Sequence, residues 1–326
     1  MTAVSLSPVL PRPRGPLSAA VVRILREEPG TATFPAPGAP EPFGEDLHLA
    51  LYTLYELHYQ GFAEADPDWE WDPAMIAFRT ALERTFLAAL RHEVAGGADV
   101  WSTVDELLVE PVEGNGVSHF LRDEGEWWQV REYFTHRSLY HLKEADPHAW
   151  VLPRLRGKAK AALVAVEFDE FGGGRADRMH SQLYADLLTG AGLDPGYLAY
   201  LDRVPAVALA PVNMMSLFGL RRALRGALVG HFAAAEITTA PSARRMAQAL
   251  ERLNADPACV EFFTEHIEAD AVHEQVLRHD VLGDLLAREP ELAADVVLGV
   301  QATEFLEQRL AEHLLGCWRT GRTSLI

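Results

Sequence analysis

The chain has 326 residues, 48% of them apolar, with 47 acidic against 29 basic side chains and a formal net charge of −18. A charge that negative excludes a basic groove for nucleic acid or an anionic lipid surface. Two cysteines, Cys259 and Cys317, exclude a disulfide framework or a thiolate-rich zinc site and suit a reducing compartment.

The N-terminus, MTAVSLSPVLPRPRGPL, is broken by prolines and does not read as a signal peptide, and no run of about 20 apolar residues follows. A cytoplasmic protein is expected. Residues 1 to about 16 read as loose chain, Ser18 to Glu28 as a short helix, and Thr31 to Gly44 as a proline-rich linker, so that 1–45 is an extension ahead of a helical body over 46–326. Asp46 to Phe62 is a strong amphipathic helix through Leu47, Leu51, Leu54, Tyr55 and Leu57. Glu56 falls among these apolar residues, and a carboxylate there needs an Arg partner or a metal.

Ala63 to Asp72 is an acidic loop, and Pro73 opens a helix to about His92. Glu93 to Gly116 is irregular. Val117 to Lys143 is a polar, aromatic helix on which Tyr133, His136, Arg137, Tyr140 and His141 occupy adjacent turns and either line a pocket or face solvent. Glu144 to Pro153 is a turn. A helix over Arg154 to Phe171 meets Gly172, Gly173 and Gly174 and resumes from Ala176 to Ala191. Three glycines inside a helix cost roughly 1 kcal/mol each, so they mark either a plain loop or a local unwinding that lets ligands from both halves meet. Arg221 to Thr239 is an apolar helix carrying Glu236 and ended by Pro241; Ala243 to Asn254 follows, capped by Ser242. Asp256-Pro257 starts a helix to about Leu277, and the last helix follows Pro290 and ends near Trp318. No segment alternates convincingly as strand, so the chain is expected to be all-α.

The chemistry concentrates on two helices. His266, Asp270 and His273 sit at i, i+4 and i+7, one face of a helix, and two imidazoles with a carboxylate suit iron, manganese or zinc. The same stripe also reads as a solvated face. Glu170, Asp177 and His180 share a face if their backbone is helical throughout; Asp177-x-x-His180 is the carboxylate-x-x-His spacing with which helix bundles hold paired irons, and Glu167 lies one turn before Glu170. With Glu56 and Glu236 on two further helices, this many carboxylates repel one another unless cations join them.

Those residues, Glu56, the FGGGRADRMH stretch around Glu170, Asp177 and His180, Glu236 in HFAAAEITT, and His266 and Asp270 in EHIEADAVH, give the chain its resemblance to the heme-oxygenase-like diiron oxidases, the iron-containing redox enzyme family. The resemblance covers about Asp46 to the C-terminus, with an insertion over about 63–150. It implies a heme-oxygenase-like seven-helix bundle. It implies one iron site from Glu56, Asp177 and His180 and another from Glu236, His266 and Asp270. Glu170 would be the extra carboxylate of the N-oxygenating branch, and His273 a further ligand or a support for one. Two Fe(II) ions with O2 as co-substrate would oxidise a small amine or amino-acid-like molecule in natural-product biosynthesis, with N-oxygenation favoured. Arg137 and His141 would hold a substrate carboxylate. An external electron donor and a homodimer are compatible with it. The alternative from another class is a heme- or small-molecule-binding bundle without turnover, with His58 or His48 as the heme ligand. A third is a structural helical protein whose carboxylates pair at the surface.

Overall fold

The computed structural model describes residues 7–109 and 114–326, the backbone alone over 268–272. Among the described residues there is no strand, and the expected all-α class holds. The helices are α1 (Pro16–Ile24), α2 (Glu45–Glu56), α3 (Pro73–Glu93), α4 (Val100–Leu107), α5 (Val117–Asp123), α6 (Trp127–His141), the single turn α7 (Asp146–Ala149), α8 (Gly157–Glu170), α9 (His180–Gly190), α10 (Ala206–Leu220), α11 (Arg225–Arg252), α12 (Pro257–Gln275), α13 (Gly283–Arg288) and α14 (Ala293–Trp318). A π-helical segment, Val276–Leu282, joins α12 to α13 without a break. Among the described residues no helix is long and apolar enough to cross a membrane.

α11 is the central rod and packs along α14 and α12. Small residues set the first of these contacts. A Cβ on Gly230 would strike the Val296 carbonyl oxygen, and one on Gly299 would strike that of Ala227, so only glycine lets the two backbones touch. Across the same seam the Thr303 hydroxyl reaches His231 Nδ1 at 2.8 Å. α2 packs on α10 and is buried along nearly its whole length. α1 docks on α2, and because its N-cap is Gly15, Asp46 of α2 caps it instead, accepting from the N–H groups of Leu17 and Ser18 at 2.8 and 2.7 Å.

Three local expectations change. Pro241 does not end its helix: α11 runs on to Arg252, and the Thr238 and Thr239 hydroxyls bond back to the Ala234 and Ala235 carbonyls at 2.8 Å each. Packing against two neighbours outweighs the missing N–H. The segment from Val117 to Lys143 is two helices, parted at Gly125, with Gln129 reaching back to the Glu126 N–H at 2.7 Å. The irregular stretch after Glu93 contains α4, whose first turn Asp99 caps through Ser102 N–H at 3.1 Å.

Candidate metal centre

Four helices and one turn bring six buried side chains together. Glu144 follows the C-terminus of α6, Glu170 ends α8, His180 begins α9, Glu236 lies mid-way along α11, and His266 and His273 lie on α12. Their ligand atoms form two groups, Glu144/His180/His266 and Glu170/Glu236/His273, within each of which all lie inside 4.8 Å. Glu170 joins the two. One of its oxygens is 2.8 Å from His180 Nδ1 and the other 3.5 Å from His273 Nδ1. His273 Nδ1 also lies 3.2 Å from Glu236 Oε2, and its Nε2 lies 3.3 Å from Asp169 Oδ2. His266 Nε2 stands 3.9 Å from Glu144, while its Nδ1 faces the Phe262 carbonyl at 2.7 Å, which fixes the ring and turns Nε2 toward the group.

The triple glycine makes this convergence local. α8 stops at Glu170 and the backbone turns through Gly172, Gly173 and Gly174 at φ of 70°, 62° and 82°, a region that disfavours side chains. The turn returns the chain so closely that a Cβ on Gly172 would sit 2.6 Å from the Arg178 carbonyl carbon and the Met179 nitrogen. The glycines thus do what an unwound helix does: the end of one rod and the start of the next present Glu170 and His180 to each other. Gly172→Ala should therefore cost at least about 1–3 kcal/mol in urea unfolding and weaken iron retention, because His180 would shift with its turn. Gly174→Ala, whose Cβ meets only Phe168 at 3.7 Å, should keep the iron. Equal iron content in both variants would sink this reading of the turn.

The same turn corrects the expectation for Asp177. The i, i+3 argument assumed helix, but Ala176–Arg178 is a 3-10 turn, and Asp177, 71% exposed, pairs with Arg175 at 2.8 Å away from the centre. Glu56 is corrected too. It is fully buried, but its partners are Lys143 Nζ at 2.8 Å and the Tyr197 hydroxyl at 2.7 Å, and Lys143 itself lies over the rings of Tyr52 and Tyr59. The buried carboxylate found its cation in a lysine. Lys143→Met should destabilise the fold by about 3–5 kcal/mol, since it strands a charge inside the core; urea unfolding measures it, and a loss under about 1 kcal/mol would contradict it.

Glu144, which sequence reasoning passed over as part of a turn, groups with His180 and His266 where Glu56 was expected. Adjacent residues split the work: Lys143 points to Glu56, and Glu144 points into the centre. The available signal was its place three residues after His141, whose Nδ1 lies 2.8 Å from Glu144. Burial alone would push the Glu144 carboxyl up, but His141 and His266 outweigh it and hold it well below the usual carboxylate range. The Asp270 side chain lies outside the described residues. Neither His48 nor His58 lines the cavity beside the centre: His48 meets Asn213 at 3.0 Å, and His58 is held between Arg79 and Glu70.

The donor set fits cations. Among the described residues no Lys or Arg lies in ion-pair range of Glu144 or Glu170; their partners are imidazoles. Glu167 is buried with both oxygens lacking a hydrogen bond, and burial, then Glu170, Glu236 and Asp146, push its carboxyl up to about 9. A nearby cation offsets both the orphaned oxygens and the repulsion. Mixed imidazole and carboxylate donors suit iron or manganese. A cavity of about 480 Å³ opens on the centre, walled by Glu144, Glu170, Glu236 and His266 on one side and by Arg137, His141 and Glu307 on another. Arg137 is engaged in a two-pronged pair with Glu307, at 2.7 and 2.5 Å.

Two comparisons agree with this geometry. The chain is 26% identical over 161 residues to a nitrosourea synthase of Streptomyces achromogenes subsp. streptozoticus, a stretch that is 49% of this chain and 34% of that protein. The chain therefore corresponds to about a third of that relative's length. Residues 131–308, more than half the chain, match the family described as iron-containing redox enzymes, and that stretch holds all six converging side chains but not Glu56. The protein belongs to the iron-containing redox enzyme family.

Proposed function

We propose that the protein is an O2-dependent diiron oxidoreductase that oxidises a small amine or amino-acid-like molecule, by N-oxygenation, in natural-product biosynthesis. The observation that carries this reading is Glu170, which touches both His/carboxylate groups and so ties two metal positions into one centre. Glu144, His180 and His266 would hold one iron, and Glu170, Glu236 and His273 the other. When bound, the pair of ferrous ions supplies two electrons to O2.

The chain supplies the rest. His141 orients Glu144, Asp169 at Nε2 orients His273, and the Phe262 carbonyl sets the His266 ring. In the cavity wall Arg137, paired with Glu307, and His141 would meet the substrate's carboxylate. In the net reaction one oxygen atom goes to the amine nitrogen, forming an N–O bond. The other leaves as water with two protons, and two of the four electrons come from the nitrogen and two from iron. An external reductant of the electron-carrier class would restore the ferrous pair. The similarity to a nitrosourea synthase favours nitrogen over carbon as the oxidised atom.

The test is a single turnover. Protein loaded anaerobically with Fe(II) is mixed with ¹⁸O2 and a panel of amino acids and their N-substituted derivatives, and products are read by mass. One ¹⁸O on nitrogen in at least one substrate supports the reading. Label only on carbon, or dioxygen uptake no faster than free Fe(II) shows, overturns N-oxygenation or oxygen activation respectively.

A further inference from the structure

The chain carries 18 more negative than positive charges, yet one cavity is lined mostly by arginine. It measures about 430 Å³, and Arg154, Arg156, Arg222, Arg225 and Arg288 converge on it, with Glu289 the only acidic lining residue among the described residues. It lies apart from the metal centre. Glu236 is eleven residues beyond Arg225 on α11, roughly 16 Å along the helix axis.

The five guanidinium groups are unequally satisfied. Arg154 donates to the carbonyls of Gly219 and Leu220, Arg225 pairs with Glu289, and Arg288 pairs with Asp284 at 2.9 Å. Asp284 also accepts the Ala159 N–H at 3.0 Å, at the start of α8. The guanidinium groups of Arg156 and Arg222 have no carboxylate or hydrogen-bond partner among the described residues and are exposed at the mouth. Five cations thus face two carboxylates. Burial and then the charge of Arg222 lower the pKa of Arg154, so the repulsion reaches the wall.

Helix placement compounds it. Arg156 is the N-cap of α8 and Arg225 is the first residue of α11. Cations at helix N-termini oppose the macrodipole, whereas an anion there is favoured. Two helix starts and a ring of cations of the same sign, gathered in a concavity rather than spread on a flat face, select a compact and multiply charged anion. A guanidinium fork grips phosphate oxygens in pairs, so two free forks can engage two phosphoryl groups of one ligand. The volume is within the range of small-ligand pockets and is too confined for a protein surface.

We propose that this cavity is a binding site for a small phosphate-bearing ligand of the diphosphate class, gripped at its mouth by Arg156 and Arg222. The ligand is either diphosphate itself or the diphosphate of a nucleotide.

The test is calorimetric titration of the full-length, iron-loaded protein with pyrophosphate and, separately, ADP, on wild type and on the double variant Arg156→Ser/Arg222→Ser. Both side chains are exposed and unpaired, so the double variant should retain the wild-type circular dichroism and iron content. Wild type should bind one equivalent, and the double variant should bind at least tenfold more weakly. Affinity should fall steeply with added NaCl. Heat from chelation of iron by either anion would be identical in the two proteins and so cancels in the comparison. Tighter binding of ADP than of pyrophosphate assigns a nucleotide; equal affinity assigns diphosphate alone. Equal affinities of wild type and double variant, or no saturable binding at low salt, would overturn the proposal. So would binding of acidic proteins alone, which would make this face a docking surface instead.

Discussion

If the wild type holds two irons as proposed, Glu144→Ala should retain about one per chain and Glu170→Ala fewer than one. Glu144 serves one group, so its loss opens one position. Glu170 touches both groups, at 2.8 Å from His180 and 3.5 Å from His273, so its loss opens both. Replacing groups that merely orient ligands costs metal sites about 10–100-fold in affinity, and removing a direct ligand should cost at least as much. Asp177→Ala, which removes an exposed side chain paired to Arg175, should keep two irons. Elemental analysis after anaerobic loading and desalting reads all three. Thermal melts give an independent readout, because a ligand at 100 times its dissociation constant stabilises the native state by about 2.7 kcal/mol. Added Fe(II) should raise the melting temperature of the wild type and of Asp177→Ala, and raise that of Glu170→Ala far less.

The second large effect is acid sensitivity. His48 and His136 are buried, and burial holds each imidazole down to about 3; Arg309 adds to this at His48 and His313 at His136. Burial also lowers His231 to about 4 and His148 well below its ordinary 6.5, with His231 adding to the latter. In each case the folded value is below the unfolded one, so the unfolded chain takes up protons that the native state refuses. Their stability is fully present above pH 6.5 and is lost progressively as pH falls toward 3. At pH 5 His48, His136 and His231, kept neutral in the fold, each cost roughly 2 kcal/mol, together roughly 6 kcal/mol, comparable to the whole stability of an ordinary domain. Glu307, where burial opposes but Arg137 prevails, is held below its usual value and adds the same sign lower down. Circular dichroism against pH should show cooperative unfolding near pH 5. Helicity and urea midpoint unchanged between pH 7 and pH 4 would contradict it.

The sequence spoke clearly where a residue's role depended on its own helix. The apolar stripe of α2 and the proline start of α3 were legible in the sequence, and so were His266 and His273 as neighbours on one face of α12. Glu236 could be picked out as a carboxylate on an apolar helix, and Glu170 and His180 by their spacing around the glycines. What spacing could not carry was the path between helices. Asp177 fitted an i, i+3 pattern that exists only if the backbone stays helical, and three left-handed glycines end that helix first. Glu56 was rightly identified as a buried carboxylate needing a cation, but the nearest cation comes from Lys143, 87 residues away. Pattern alone cannot separate a lysine from a metal as the answer to a buried charge. Glu144 was hidden by the turn it sits in, where periodicity is silent and only proximity to His141 marked it.

The most direct test of the paired centre is anomalous diffraction at the iron edge from crystals loaded with Fe(II) under anaerobic conditions. Two iron peaks are expected, one among Glu144, His180 and His266 and the other among Glu170, Glu236 and His273, with Glu170 touching both. A single peak, or iron bound beside Glu56 or Asp177 instead, would contradict the account.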